Sequence, residues 1–284
     1  MQTLCILGLG LMGGSLGLAA RNAGVASRVK GYARRPESLQ VALEMGAIDE
    51  ACENAVDAAR NADFVVLCVP VLSMAGLLEN CKPVLGTGCV VTDVGSTKAE
   101  IVACAESILA DSPASFVGSH PMAGSEQAGL HAARSDLYKD AVVIVTSSER
   151  SDPNSVKEIK RFWNTLGSNV SMMKPAEHDE IIAKTSHLPH LIASVLVHVV
   201  LERDANVRRS LCARGFRDTT RVAAGSEEMW HDIVQTNSNA VITEMRAMIR
   251  KLDQLVSWMD VGDYRRIRGF LAKSRELRES LDED

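Results

Sequence analysis

The sequence predicts an α/β protein in which a parallel sheet covered by helices is followed by an all-helical part. Short runs such as TLCIL (residues 3–7), FVVLCV (64–69) and CVVT (89–92) are apolar almost throughout, as strands buried on both faces are. Helix-length segments at about residues 38–45, 71–81 and 98–109 separate them, which suits crossover connections. Beyond Lys174-Pro175 no strand-like run recurs, and apolar residues return at helical spacing to the end. With 284 residues, more than one small core needs, the chain is expected to form two domains, 1–173 and 174–284.

The first strand runs straight into Gly8-Leu9-Gly10-Leu11-Met12-Gly13-Gly14-Ser15 and an apolar helix. Strand, GxGxxG and helix in that order form the dinucleotide fingerprint of a Rossmann-type domain. Gly8 serves the tight turn, Gly10 lets backbone approach a pyrophosphate, and Gly13 lets helix and strand pack closely. The helix start, with Leu11 and Met12, offers unpaired N–H groups to phosphates. Val69 and Pro70, where the 64–69 strand stops, belong to the same cofactor-binding edge.

A second strand, residues 29–32, ends where an NAD enzyme places an acid on the ribose 2'-hydroxyl. Here Ala33 is followed by Arg34 and Arg35. Guanidinium forks bind a 2'-phosphate that a carboxylate would repel, so NADP is expected over NAD. The opposing reading has both arginines in a solvated loop, with NAD held through backbone.

The stretch FVGSHPMAGSE, residues 116–126, reads as the end of a buried strand turning into a glycine-containing loop. It leaves His120 at a strand's carboxyl edge, where open parallel sheets bind ligands, and makes it the first candidate for a proton acceptor. Ser96, in DVGSTK, sits at a strand-to-helix turn, either as an N-cap or bonded to substrate. Further strands are expected at 141–146 and 170–173, with an amphipathic helix at 156–166 between them.

One long helix is expected over about 175–204, although Pro189 lies inside it. Ala183, His187, His190 and Ser194 form a small polar stripe on its apolar surface, the histidines either lining a cleft or satisfying each other in the core. Arg217 and Arg221 are one helical turn apart, spaced to meet one carboxylate or to form a surface network with Asp218. Val241, Met245, Met248, Leu252, Leu255 and Met259 make a seam that wants a partner helix, as a dimer interface or a bundle core.

A net charge of −5 argues against a nucleic-acid partner, and no apolar run reaches the ~20 residues of a membrane span. The seven cysteines show no CxxC and no metal-ligand spacing, so they read as small core residues of a cytoplasmic protein; Cys68, at a strand end, is a possible site neighbour. The N-terminus shows no export signal.

GLGLMGGS, DVGSTK, GSHPMAGSE, SHLPH and GFRDTTRVA followed by MW occur in an order and spacing that resembles the prephenate/arogenate dehydrogenase family of tyrosine biosynthesis. The resemblance implies a Rossmann-type domain followed by an all-α dimerisation domain, a homodimer, and nicotinamide-dependent oxidative decarboxylation of prephenate or arogenate without a metal. It implies that His120 accepts the ring hydroxyl's proton and that Ser96 bonds the same hydroxyl and fixes the histidine. It further implies that Arg221, supported by Arg217, grips a substrate carboxylate. Glu126 and Asp218 would pair with that arginine, His187 and His190 would line the cleft, and Trp230 would neighbour the pocket. Two rival readings are a β-hydroxyacid or imine dehydrogenase, needing a catalytic lysine such as Lys184, and a non-catalytic NADP-sensing dimer.

Overall fold

Alternate residues of the first strand, β1 (Thr3–Leu7), serve two different cores: Leu4 and Ile6 join one apolar cluster, Cys5 and Leu7 another. β4 (Phe64–Leu67) divides in the same way, Phe64 and Val66 against Val65 and Leu67. Both faces are covered, so neither strand shows polar alternation. The computed structural model describes residues 1–124, 127, 129–202 and 211–282.

In chain order the first elements are β1, α1 (Leu11–Asn22), β2 (Arg28–Tyr32), α2 (Pro36–Glu44), β3 (Glu50–Ala51), α3 (Ala55–Ala59), β4, α4 (Val71–Cys81), β5 (Val90–Asp93), α5 (Ala99–Ile108) and β6 (Ser115–Phe116). The six strands form one parallel sheet in the order β3-β2-β1-β4-β5-β6. The chain winds outward from β1 in both directions, so the order reverses between β1 and β4, and a crevice opens at their carboxyl ends. Local chemistry sets the helix starts: Pro36 opens α2, and Asn54 caps α3 by accepting from the Asp57 N–H at 2.9 Å.

His120 was expected in a turn at the edge of the parallel sheet; it lies instead in a strand of its own, β7 (Gly118–Pro121). With β8 (Val142–Thr146) and β9 (Asn169–Met173) it forms a second, three-stranded sheet, β7 antiparallel to β8 and β9 parallel to it. Sequence periodicity does not tell which sheet an apolar run joins. α6 (Pro153–Thr165) begins at the Asp152 cap and sends Ile159, Phe162 and Trp163 into the first core.

The long helix expected from residue 175 runs helical to Leu201, but a π segment divides it into two α-helical stretches. α7 (Pro175–Ile182) and α8 (Leu188–Leu201) are joined by a wide π turn, Ala183–His187. Pro189 falls in the first turn of α8, where its missing N–H costs least, and the π turn takes up the hydrogen bonds that a continuous α-helix would lose. α9 (Arg214–Thr220), a 3-10 turn (Arg221–Ala224) and α10 (Glu227–Thr236) follow. The change from strands to helices thus falls between β9 and α7. α7 packs on α5 and α10 on α4, and the first compact unit extends to Ser238.

The second unit, Asn239–Asp284, contains most of α11 (Ser238–Asp260) and all of α12 (Tyr264–Glu279). Asp263 starts α12 by accepting from the Arg266 N–H at 3.1 Å, and Trp258 meets Phe270 across the pair at 6.3 Å. Of the expected seam, Leu252 and Met259 are exposed, Met245, Met248 and Leu255 half-buried, and Val241 buried. Ile249 and Val256 extend the exposed apolar row. No described helix is long and apolar enough to cross a membrane.

Candidate active site

Gly8 turns at φ +109°, and a Cβ there would stand 2.3 Å from the Cys68 carbonyl oxygen. At Gly13 it would stand 1.9 Å from the Gly8 carbonyl oxygen, whereas at Gly10 it would meet nothing within 4 Å. Gly8 and Gly13 therefore hold turn, strand and helix together, and Gly10 leaves open space before the α1 N-terminus. That cradle fits a dinucleotide pyrophosphate. Leu11 and Met12, half-buried, open α1; Val69 and Pro70 continue from β4 beside Gly8. The Gly8 N–H donates to Tyr32 O at 2.9 Å, tying the turn to the end of β2, and exposed Arg34 and Arg35 follow directly. Burial pushes the Cys68 thiol well up, so it is a packing group and no thiolate.

β7 is pinned to the carboxyl end of β5. Ser119 N–H donates to Asp93 Oδ1 at 3.0 Å, and the Ser119 and Thr92 hydroxyls bond at 2.8 Å. Next to them His120 is buried, its Nδ1 2.8 Å from His178 Nε2. His178 Nδ1 in turn lies 2.8 Å from Asp179 Oδ1. The Asp179 carboxylate also takes the first N–H groups of the neighbouring helix, Lys98 N–H at 2.7 Å and Ala99 N–H at 2.8 Å. An acid of α7 thus caps α5, a favourable place for negative charge.

Lys98 is itself fully buried, its ammonium paired with Asp93, which also accepts from the Gly95 N–H at 2.8 Å. Burial lowers the lysine's pKa against the pull of Asp93. Burial, helped by His178, Lys98 and His187, holds the His120 imidazole well below its ordinary value. His120 is therefore neutral at physiological pH, as a proton acceptor must be.

A second cluster adjoins the first. Asn237 Nδ2 donates to Asp179 O at 2.8 Å and lies 3.2 Å from His187 Nδ1. His190 stacks on Trp230, ring centroids 3.5 Å apart and planes 12° from parallel, while His187 meets the same indole edge-on at 5.9 Å. Burial brings the His187 pKa down to about 4 and lowers that of His190. His187 Nε2 and His190 Nδ1 are both buried without a partner among the described residues, as groups facing a ligand would be.

Ser96 is half-buried at the β5–α5 turn, and the His120 ring bond goes to His178. Arg217, Asp218 and Arg221 are exposed; Arg217 Nε donates to Cys212 O at 3.0 Å, and Asp218 faces Arg214 at 3.7 Å. Glu126 lies outside the described residues. Lys184, which the rival reductive reading needs, is exposed on the π turn. Sequence reasoning missed His178, Asp179, Asp93, Lys98 and Asn237. PAEHDE reads as the acidic, solvated first turn of a helix, and only its packing on α5 turns His178 and Asp179 inward.

The doubly wound sheet, the glycine turn and the neutral buried imidazole define the class: a Rossmann-type dehydrogenase with a helical C-terminal part. The family model described as prephenate dehydrogenase, nucleotide-binding domain, matches residues 16–172, and the one described as prephenate dehydrogenase, dimerization domain, matches 174–273. The chain belongs to the prephenate dehydrogenase family. It is 31% identical to the prephenate dehydrogenase of Bacillus subtilis, covering 99% of this chain and 76% of that one. It is 32% identical to the cyclohexadienyl dehydrogenase of Zymomonas mobilis, covering 92% and 90%. The crystal structure of prephenate dehydrogenase from A. aeolicus, solved with hydroxyphenyl propionate and NAD+, superposes with a TM-score of 0.93 at 31% identity, covering 99% of this chain and 98% of that one.

Proposed function

We propose that this chain is a homodimeric dehydrogenase that oxidatively decarboxylates prephenate, arogenate or both, using NADP in preference to NAD. The observation that carries the chemistry is the buried, neutral His120 on β7, the strand that Ser119 bonds to the carboxyl end of β5 in the sheet that bears the glycine turn. A bound nicotinamide would supply the acceptor for the hydride that leaves the ring carbon bearing the 4-hydroxyl. His120 accepts that hydroxyl's proton, the ring carboxylate leaves as carbon dioxide, and the proton returns to the phenolate oxygen formed as the ring aromatises.

Gly8, Gly10, Leu11, Met12, Gly13, Val69 and Pro70 hold the pyrophosphate end in this reading. Arg34 and Arg35 carry the NADP preference, since they follow directly on the strand end to which Gly8 is bonded. His187, His190 and Trp230 line the substrate cleft, and Ser96 bonds the substrate hydroxyl. Arg221, supported by Arg217, recognises a substrate carboxylate, and Asp218 and Glu126 are the acids that the family resemblance pairs with it. The position of Arg221 supports this: the Arg221–Ala224 turn packs on α8, the helix that carries His190. The exposed apolar row on α11, within the matched dimerization domain, supports a homodimer. We place the start of the substrate-binding and dimerisation part at residue 174.

Initial rates with each substrate against each cofactor test the proposal. Reduced cofactor and carbon dioxide should form in equal amounts with at least one pair, faster with NADP. An inert, folded protein would leave the sensing dimer standing.

A further inference from the structure

Within the proposed reaction, and resting on it, we propose that His178 and Asp179 are positioning residues that fix which nitrogen of His120 carries its proton. The Asp179 carboxylate already accepts from the Lys98 and Ala99 N–H groups, and an ionised carboxylate has no hydrogen to give. The third group in contact with it, His178 Nδ1 at 2.8 Å, must therefore be a donor.

A neutral imidazole with its hydrogen on Nδ1 is an acceptor at Nε2. His120 Nδ1, 2.8 Å from that Nε2, must then donate. The consequence falls at the far side of the His120 ring: its Nε2 is left with a bare lone pair. This is the nitrogen that accepts the substrate proton, and the imidazolium formed keeps its Nδ1–H bond to His178 throughout. Asp179 is anchored by a helix N-terminus and through its own carbonyl by Asn237, so the order of protons is built into the packing of α7 on α5.

Nitrogen-15 NMR of histidine-labelled full-length protein reads the tautomers directly, with His120→Asn and His178→Gln assigning the signals. Wild-type His120 is expected to be protonated at Nδ1 and bare at Nε2. His178→Gln keeps an acceptor facing His120 and a donor facing Asp179, so kcat should stay within about tenfold of wild type. His178→Phe removes the acceptor and should lower kcat by about 100-fold or more at little change in KM. A wild-type His120 protonated at Nε2, or a His178→Phe variant at wild-type kcat, would overturn the inference. The NMR arm needs no turnover: a protein inactive on both prephenate and arogenate would sink the proposed reaction and leave the tautomer result to decide this one.

Discussion

Lys98 and Asp93 form an ion pair in which neither side chain retains any solvent exposure. The pair joins the end of β5 to the start of α5 and, through Ser119, holds β7 in place beside it. Removing one partner strands a charge in the interior. Lys98→Met should therefore cost about 3–5 kcal/mol in denaturant unfolding, and Lys98→Met with Asp93→Asn together should cost clearly less than Lys98→Met alone. Equal loss in the single and double variants would show that the charge pairing is not what holds this corner.

The paired arginines after β2 give a cofactor prediction. Losing charge-assisted bonds to a 2'-phosphate costs about 1.5–3 kcal/mol, so Arg34→Ala with Arg35→Ala should lower kcat/KM for NADP about 10- to 100-fold. The value for NAD should hardly move, since NAD has no phosphate there. A parallel fall for both cofactors would assign the arginines to structure.

Stability should depend on pH in a stated direction. The unfolded chain protonates its histidines near ~6.5, whereas His187 in the fold is held down to about 4 and His120 and His190 are also lowered by burial. Below ~6.5 the unfolded state binds more protons, so this stability is fully present above that pH and is lost as pH falls toward about 4. Melting temperature should decline across this window, and His187→Leu should flatten the decline. A curve unchanged by that substitution would show that His187 is not among the groups responsible.

Gly225 sits against the stacked rings. A Cβ there would stand 2.6 Å from Trp230 Nε1 and 3.2 Å from His190 Cε1. Gly225→Ala should displace the stack and raise KM several-fold while leaving kcat nearer its wild-type value, because it disturbs the cleft wall and not the proton acceptor. Steady-state kinetics with an unchanged KM would remove His190 and Trp230 from the substrate cleft.

What the sequence made legible follows from periodicity and from glycine. Buried strands announce themselves by continuous apolar runs, and the turn at Gly8 and Gly13 follows from steric need, so the sheet and the cofactor cradle could be read directly. The second sheet could not, because partner choice for β7 depends on contacts between residues 118–121 and 142–146 that no local pattern encodes. Pro189 signalled an irregularity in the helix near Ala183–His187, but not its form as a π turn. His178 and Asp179 stayed hidden because burial is conferred by a distant helix N-terminus, while the sequence around them is that of a solvated turn.

The central claim is that His120, neutral and buried, takes the proton during oxidation, and His120→Asn tests it most directly. Asparagine fills much of the same space but is no base, so kcat should fall about 10²–10⁴-fold while calorimetric binding of substrate and cofactor persists. A His120→Asn protein that turned over at the wild-type rate would contradict the account.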